Sequence, residues 1–125
     1  MTRWNTIAFL GYALACGILA GVIMVRPARS HQAPTGWDYP LACCWGPSAN
    51  RQGDCNQIPF QSVRVGAEGF EITLRPGDHP LVQTDAKQFL IRFEDAMDSP
   101  DGEFHLCINP HTGEARCFFA PPFGT

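Results

Sequence analysis

The segment Ser99–Pro122 has the sequence SPDGEFHLCINPHTGEARCFFAPP, in which two turn signals flank an alternating run of residues. Ser-Pro-Asp-Gly favours a turn, because proline presets φ at the first corner and Gly102 accepts a positive φ. Asn-Pro-His-Thr-Gly reverses the chain further on, and Gly113 can adopt the left-handed conformation that ends such a loop. The segment therefore predicts a β-hairpin.

Alternation along the two predicted strands decides which side chains share a face. The outgoing strand places Phe104, Leu106 and Ile108 on one face and His105 and Cys107 on the other; the return strand places Ala115, Cys117 and Phe119 on one side and Arg116 and Phe118 on the other. A three-residue loop, 111–113, brings Cys107 opposite Cys117, whereas a four-residue loop, 110–113, shifts them one position apart. We predict the shorter loop and a Cys107–Cys117 disulfide that supports the fold.

Two further alternating runs lie in the middle of the chain. Residues Ser62–Val65 and Phe70–Arg75 predict a second hairpin, in which Gly66–Gly69 forms the connection. Residues Pro76–Pro80 have the composition of a turn, and Leu81–Val82 predicts a short edge strand.

Residues 86–97 fit two patterns. Phe89, Ile91 and Phe93 alternate as in a strand, whereas Ala86, Phe89, Leu90, Phe93 and Met97 match a helical stripe. We predict a strand over 88–93, because β-branched and aromatic residues are concentrated there and the neighbouring elements are predicted strands. The sequence thus indicates a mainly β, disulfide-stabilised small domain of antiparallel hairpins.

Three more cysteines, Cys43, Cys44 and Cys55, lie in an aromatic and glycine-rich segment that begins at Trp37. We expect the core to be capped by Trp37, Tyr39, Leu41 and Trp45. One of the adjacent cysteines is expected to bond Cys55 and the other to point elsewhere, because a bond between neighbours closes a strained ring. Together with the two hairpin cysteines, these make five, which predicts two disulfides and one free thiol and leaves the connectivity open.

The amino-terminal segment Thr6–Val25 is an uncharged run, long enough as a helix to cross a bilayer core of about 30 Å. Its length and flanking arginines favour an uncleaved membrane anchor over residues 1–25, whereas cleavage near Ser30 would make it a signal peptide. Residues 26–36 are then a linker, and residues 37–125 are the exported domain. Because disulfides persist in oxidising compartments, we place this domain in the periplasm, anchored to the inner membrane, or secreted after cleavage.

Composition limits the other partners. Ala13, Gly17 and Gly21 recur at every fourth position, a spacing that favours a homodimer through the membrane helix. Six of the nine basic residues and all twelve acidic residues follow Ser30, so the exported part has a net charge of −6, which argues against nucleic acid as a partner. The acidic run 94–103 lacks the ligand spacing of a calcium loop and predicts a solvated turn.

Several short motifs occur in a recognisable order between Tyr39 and Pro122. They are Tyr39-Pro40, Cys43-Cys44, Asp54-Cys55, Ser99–Gly102, His105-Leu-Cys107, Cys117-Phe118 and Pro121-Pro122. Their order resembles that of a family of short, exported, uncharacterised bacterial cysteine-rich proteins, with a longer insertion here at 46–53. The resemblance implies export and a compact cysteine-rich fold, and it implies no particular chemistry.

Three functions from different classes fit the sequence. No arrangement pairs a nucleophile with a general base, so the leading hypothesis is a non-enzymatic, membrane-tethered or secreted periplasmic module without a cofactor, which binds a protein or envelope partner. The alternative is a copper- or zinc-binding protein in which His105, Cys107 and Cys117 act together with His79 or His111. The second alternative is a thiol redox protein that uses the free cysteine.

Overall fold

The computed structural model describes residues 31–44 and 54–122 and shows strands arranged in two sheets. The strands are β1 (Cys55–Gln57), β2 (Val63–Val65), β3 (Gly69–Leu74), β4 (Lys87–Arg92), β5 (Ala96–Asp98), β6 (His105–Ile108) and β7 (Ala115–Ala120), with short 3-10 turns at Phe60–Ser62 and Phe93–Asp95. The predicted membrane segment with Ala13, Gly17 and Gly21, and the predicted capping residue Trp45, lie outside the described residues. Within the described ranges, no helix is long and apolar enough to span a bilayer.

The smaller sheet has the antiparallel order β2-β3-β4. Val63 opposes Ile72 and Val65 opposes Phe70, which confirms the second predicted hairpin. On the other side of β3, Ile72 opposes Phe89 in β4. The strand prediction for 88–93 is therefore confirmed, while the helical stripe over 86–97 does not form. Phe93 itself begins a 3-10 turn, and part of the predicted acidic turn forms β5.

The larger sheet has the order β1-β6-β7-β5, in which β5 runs parallel to β7. The β6–β7 pair is the predicted hairpin, and Cys107 does oppose Cys117. The loop has four residues, 110–113, instead of the predicted three, because Ile108 opposes Ala115 and the Asn109 N–H bonds the Glu114 carbonyl. A β-bulge at Arg116 restores the opposition of the two cysteines.

The disulfide connectivity differs from the prediction. Cys107 bonds Cys55, its neighbour across the β1–β6 pair, and Cys117 bonds Cys43. The predicted Cys107–Cys117 bond is therefore wrong, because each residue has a second neighbour from the amino-terminal half of the domain. The expected bond from Cys43 or Cys44 to Cys55 is wrong for the same reason. The expected number of bonds is confirmed within the described residues: two disulfides form, and Cys44 keeps a free, buried thiol.

An apolar core fills the space between the two sheets. Its buried members are Ile58, Phe70, Ile72, Leu74, Val82, Phe104, Leu106, Ile108, Phe118 and Ala120. Alternation along β3 and β6 places these side chains inward, as expected from the sequence. The bulge moves Ala115 to this side, whereas simple alternation predicts it beside Cys117.

Three other placements depart from the sequence-based description. Residues 31–36, assigned to the linker, already pack on the domain, where Ala33 is buried and Gln32 pairs with Asp38. Leu41 is exposed and does not cap the core. Leu81–Val82 belongs to a turn closed by an isolated His79–Val82 bridge instead of an edge strand.

Candidate functional site

A second buried cluster lies on the face of β6 opposite the apolar core. We call it the disulfide layer, and it consists of Ala33, Tyr39, Cys43, Cys44, Cys55, Cys107 and Phe119, with Trp37 and Cys117 packed against it. The segment 31–44 covers this face of the sheet. Trp37 and Tyr39 contact each other and the ring of Phe119 at centroid distances between 4.6 and 6.0 Å. All five described cysteines belong to this layer or pack against it.

A hydrogen-bond chain runs through this layer from Tyr39 to Asp101. The Tyr39 hydroxyl lies 2.8 Å from Nδ1 of His105, and Nε2 of His105 lies 2.9 Å from a carboxylate oxygen of Asp101. Because an ionised carboxylate only accepts hydrogen bonds, Nε2 carries a proton, and in the neutral ring Nδ1 accepts from the Tyr39 hydroxyl. Both ring nitrogens of the fully buried His105 are therefore occupied.

Asp101 receives further hydrogen bonds that join the amino-terminal segment to the hairpin. Its donors include the Thr35 hydroxyl, the Trp37 indole N–H, the Ser99 hydroxyl and the Glu103 backbone N–H. Burial disfavours the ionised carboxylate, but the hydrogen bonds outweigh burial and hold the pKa of Asp101 well below its usual range. Burial, with the Asp101 charge, raises the pKa of Tyr39. The chain therefore consists of an ionised acid, a histidine and a neutral phenol.

His79 is a second fully buried histidine with a structural role. Its Nε2 donates to the Leu106 carbonyl at 3.1 Å, and its Nδ1 accepts from the Leu81 N–H at 3.1 Å. Burial lowers the pKa of His79, because charging the ring in this environment is unfavourable. His79 therefore links the 79–82 turn to β6 as a neutral ring.

The free thiol of Cys44 lies beside the Cys55–Cys107 disulfide, with its Sγ 4.0 Å from Sγ of Cys55. Burial raises the pKa of the Cys44 thiol, and the Asp54 charge acts in the same direction. The backbone N–H of His31 and the charge of Arg116 oppose this rise. The thiol is thus predominantly protonated at neutral pH.

His31 and Asp54 complete a group that we call the sulfur site: His31, Cys44, Asp54 and Cys55. His31 Nε2 lies 2.8 Å from the Cys55 carbonyl, and its Nδ1 lies 3.7 Å from Oδ1 of Asp54. That Nδ1 is buried and has no hydrogen-bond partner. The donor atoms of His31, Asp54 and Cys55 all lie within 4.8 Å of one another, and they are the only such group found within residues 31–44 and 54–122.

The residues of the metal-site hypothesis from the sequence are placed differently. His105 and Cys107 share a face of β6, and Cys117 is opposite, as predicted. The two sulfurs, however, belong to different disulfides, and the ring nitrogens of His105 and His79 have other partners. His111 lies on the exposed hairpin loop. The structure therefore does not bring these residues together as a ligand set.

A separate apolar surface borders the core next to Phe70 and Phe104. We call Phe60, Val65 and Phe93 the apolar rim; their exposed fractions are 74%, 56% and 44%. Phe60 contacts Phe104 at a centroid distance of 5.6 Å, and Phe93 contacts Phe70 at 5.4 Å. Because Val65 opposes Phe70 in the sheet, all three rim residues adjoin the buried Phe70 and Phe104 rings.

Comparisons of this chain with known protein families, curated proteins and solved structures give no match. The resemblance noted from the sequence motifs stays a prediction.

Sequence reasoning did not identify His31, Asp54 or Asp101 as site residues. Asp101 had a usable signal, since it lies four residues before His105 in a tight turn. His31 had none, because its carbonyl partner on Cys55 lies 24 residues away and is reached through tertiary folding.

Proposed function

We propose that the protein is a non-enzymatic, extracytoplasmic binding module that docks a protein partner on its apolar rim. The observation that carries this proposal is the 74% exposure of the Phe60 ring. Large aromatic side chains are enriched at protein interfaces, where they contribute much of the binding free energy. An exposed ring that rests on a rigid buried neighbour is suited to this role.

The rim is held in place by the core beneath it. Phe104 and Phe118 stack at 5.8 Å, and Phe70 contacts both of them. The side chains of Phe60 and Phe93 would therefore lose little conformational entropy when a partner covers them. This preorganisation favours docking over a merely incidental exposure of apolar surface.

Charge near the rim indicates the chemistry of the partner. Glu94 and Asp95 follow Phe93 directly, and the part of the chain beyond Ser30 has six basic and twelve acidic residues. Arg92 is engaged by both acids, at 3.1 and 2.9 Å. A protein surface with apolar residues flanked by lysine or arginine complements this pattern, whereas an anionic lipid surface would be repelled.

The buried polar groups support a non-enzymatic role. His79 and His105 use both ring nitrogens within the fold, and the Ser99 hydroxyl donates to Asp101. The Ser62 hydroxyl likewise donates to Asp78 at 3.1 Å. These groups connect segments of the chain, which is the work of structural hydrogen bonds.

The location follows in part from the disulfides. Two disulfides indicate an oxidising, extracytoplasmic compartment. We further propose that Thr6–Val25 stays attached as an inner-membrane anchor, so that the module works in the periplasm. Fractionation tests this point, because a soluble form beginning near His31 would show cleavage after Ser30 instead.

Site-specific photocrosslinking in cells tests the docking proposal. A photoreactive amino acid at Phe60 or Phe93 of the full chain should yield one shared adduct with a protein that presents basic and apolar residues. Thr73 and Gln88, exposed on the outer face of the smaller sheet, are matched control positions that should yield no adduct.

Adducts at Thr73 as intense as those at Phe60 would overturn the proposal, as would adducts confined to lipid or to a second copy of this chain. A further measurement distinguishes loss of docking from misfolding of the variant. The Phe60→Ser variant should lose the adduct formed at Phe93 while keeping the melting temperature of the parent, and retention of that adduct would also contradict docking on the rim.

A further inference from the structure

We propose that the sulfur site becomes a zinc site when the Cys55–Cys107 disulfide is reduced, with His31, Cys44, Asp54 and Cys55 as ligands. This goes beyond the proposed docking function and does not rest on it. The proposal stands on the orientation of one histidine, on two ligand-to-ligand distances and on the position of a free thiol next to a disulfide.

His31 is oriented as a metal ligand is in characterised sites. Its Nε2 donates to the Cys55 carbonyl at 2.8 Å, so in the neutral ring the lone pair is on Nδ1, the atom that faces Asp54. Metal-binding histidines almost always donate their other ring N–H in this way, often to a backbone carbonyl. The lone pair on Nδ1 is buried and has no hydrogen-bond partner, so a protein donor does not compete for it.

Two distances within the sulfur site are close to those between ligands that share one ion. Cys44 lies beside Cys55 but outside the group of His31, Asp54 and Cys55 whose donor atoms are all within 4.8 Å of one another, so its side chain must approach further to complete the set. Zinc binds nitrogen or oxygen at about 2.0–2.2 Å and sulfur at about 2.3 Å, so tetrahedral ligands lie about 3.3–3.8 Å apart. His31 Nδ1 and Asp54 Oδ1 are 3.7 Å apart, and the two sulfurs of Cys44 and Cys55 are 4.0 Å apart. The 3.7 Å separation is too long for a hydrogen bond but suits two ligands of one cation.

Cys55 becomes a ligand only after its disulfide is opened. A dithiol reductant supplies two electrons and two protons: the Cys55–Cys107 bond breaks, the reductant becomes a disulfide, and Cys55 and Cys107 become thiols. Zinc then displaces the protons of Cys44 and Cys55, which leave as two protons per ion bound. Each of the two thiolates forms one bond to zinc, and the zinc oxidation state does not change.

The backbone keeps the ligands near one another after reduction. Cys55 opposes Cys107 in the β1–β6 pair, and the Ile108 N–H bonds the Asp54 carbonyl at 2.7 Å. On the other side, the Tyr39 N–H bonds the His31 carbonyl. Opening the S–S bond therefore removes one cross-link while main-chain hydrogen bonds continue to position three of the four ligands.

The ligand set favours zinc among biological cations. Two thiolates, one imidazole and one carboxylate offer four donors, the number that zinc takes in tetrahedral sites. Copper(I) prefers soft sulfur donors and would leave the carboxylate unused. Calcium and magnesium prefer oxygen donors and would leave the two thiolates and the imidazole unused.

Cobalt(II) titration of the full chain tests the proposal, because cobalt–thiolate bonds give charge-transfer absorption that counts the coordinated sulfurs. The background carries Cys16→Ala, so that the sixth cysteine of the chain, which lies in the amino-terminal run Thr6–Val25, contributes no thiol. Cys107→Ala frees Cys55, and dithiothreitol treatment followed by anaerobic desalting keeps the thiols reduced. Near-ultraviolet circular dichroism of the packed Trp37 and Tyr39 reports folding.

We expect one cobalt ion per reduced chain with two thiolates, displaced by zinc with release of two protons. His31→Gln retains an N–H for the Cys55 carbonyl but loses the ligand nitrogen, so it should lose stoichiometric binding. Cys44→Ala should also lose it, while His111→Gln on the hairpin loop is the matched control that should retain it.

Equal cobalt binding by the parent chain with its Cys55–Cys107 disulfide intact and after dithiol treatment would overturn the proposal, as would unchanged binding in His31→Gln. Absence of binding by a reduced chain that keeps its near-ultraviolet spectrum would overturn it too. If Cys107→Ala does not fold, the same titration of the parent chain after dithiol treatment provides the test, with thiol counting to verify that the disulfide has opened.

Discussion

Leu106 and Ile108 on one face of β6 pack in the apolar core, whereas on the other face Cys107 belongs to the disulfide layer and His105 contacts its Trp37 and Tyr39 rings. The apolar core joins the two sheets through side chains that share no hydrogen bonds or covalent links. The disulfide layer joins the sheet to segment 31–44 through the Cys43–Cys117 disulfide, a buried hydrogen-bond chain and aromatic contacts. Adjacent residues of one strand thus stabilise the domain in two different ways.

The difference shows how a domain of this size supplements a small core. Apolar burial scales with area, and a domain of about 90 residues buries a smaller share of its surface than a larger one. The disulfide layer compensates by linking segments far apart in sequence, 74 residues for Cys43–Cys117 and 52 for Cys55–Cys107. Long closed loops are those for which a disulfide restricts the unfolded chain most.

The largest effect is expected from breaking the longer cross-link of the disulfide layer. Replacing Cys43 and Cys117 together by alanine should lower the free energy of unfolding by about 3.4 kcal/mol, because with the Cys55–Cys107 bond in place the cross-link closes a loop of roughly 22 residues through 43–55 and 107–117. Urea unfolding of the purified full chain measures this change. Peptide mapping of the non-reduced parent should show Cys43–Cys117 and Cys55–Cys107 linkages, and a Cys107–Cys117 peptide would contradict the structure.

The apolar core is tested at the neighbouring position of the same strand. Leu106→Ala removes buried methyl groups between the sheets and should lower the free energy of unfolding by about 3 kcal/mol. The free thiol count should not change, because the cysteines lie on the opposite face. A loss below about 1 kcal/mol would show that this core is loosely packed and that the disulfide layer dominates stability.

The apolar core was predictable from sequence because its signal is local. Alternation in Phe70–Leu74 and Phe104–Ile108 is visible within each strand, and the glycines at 102 and 113 have the positive φ that their turns require. The hairpin loop length was not predictable in the same way. A bulge at Arg116 compensates for the extra loop residue, and Arg116 bonds the Ala42 carbonyl, which lies 74 residues away.

The disulfide layer was predictable in composition but not in connectivity. Five cysteines in an exported segment indicate two bonds and one free thiol, yet which sulfurs meet depends on how segment 31–44 crosses the sheet. Direct opposition in the hairpin favoured Cys107–Cys117, but Cys107 also opposes Cys55 across β1. The His31 and Asp54 placements depend on the same crossing, so no local pattern could reveal them.

Asp101 accepts the hydrogen bonds that join segment 31–44 to the hairpin. Its substitution should lower the free energy of unfolding by less than that of Leu106 and by more than that of Phe60. Asp101→Asn removes the charge that several donors approach and should cost about 2 kcal/mol at pH 7. Since folding lowers the pKa of Asp101, its stabilisation is complete above the unfolded value of about 3.9 and is lost as pH falls further. The difference between variant and parent should therefore shrink below about pH 4, and a constant difference from pH 7 to pH 3 would contradict this.

His79 should give the parent protein a separate pH dependence. Because burial lowers the pKa of His79, stability is complete above the unfolded value of about 6.5 and falls with decreasing pH below it, by at most about 1.4 kcal/mol per pH unit. His79→Gln keeps a donor for the Leu106 carbonyl and should flatten the profile between pH 6.5 and pH 5 by that slope. Chemical denaturation at several pH values measures it, and parallel profiles for parent and variant would argue against a neutral, buried His79.

The smallest effect is expected on the apolar rim, where a side chain adjoins the core without belonging to it. Phe60→Ser removes a ring that is 74% exposed and contacts Phe104 at 5.6 Å, so the free energy of unfolding should change by about 0.5 kcal/mol or less. Phe70→Ser, at the fully buried ring between the sheets, is the matched substitution and should cost several times more. Denaturation midpoints of the two variants separate these cases. A loss of about 2 kcal/mol or more in Phe60→Ser would place Phe60 in the core, and the rim would then have a structural explanation in place of a docking role.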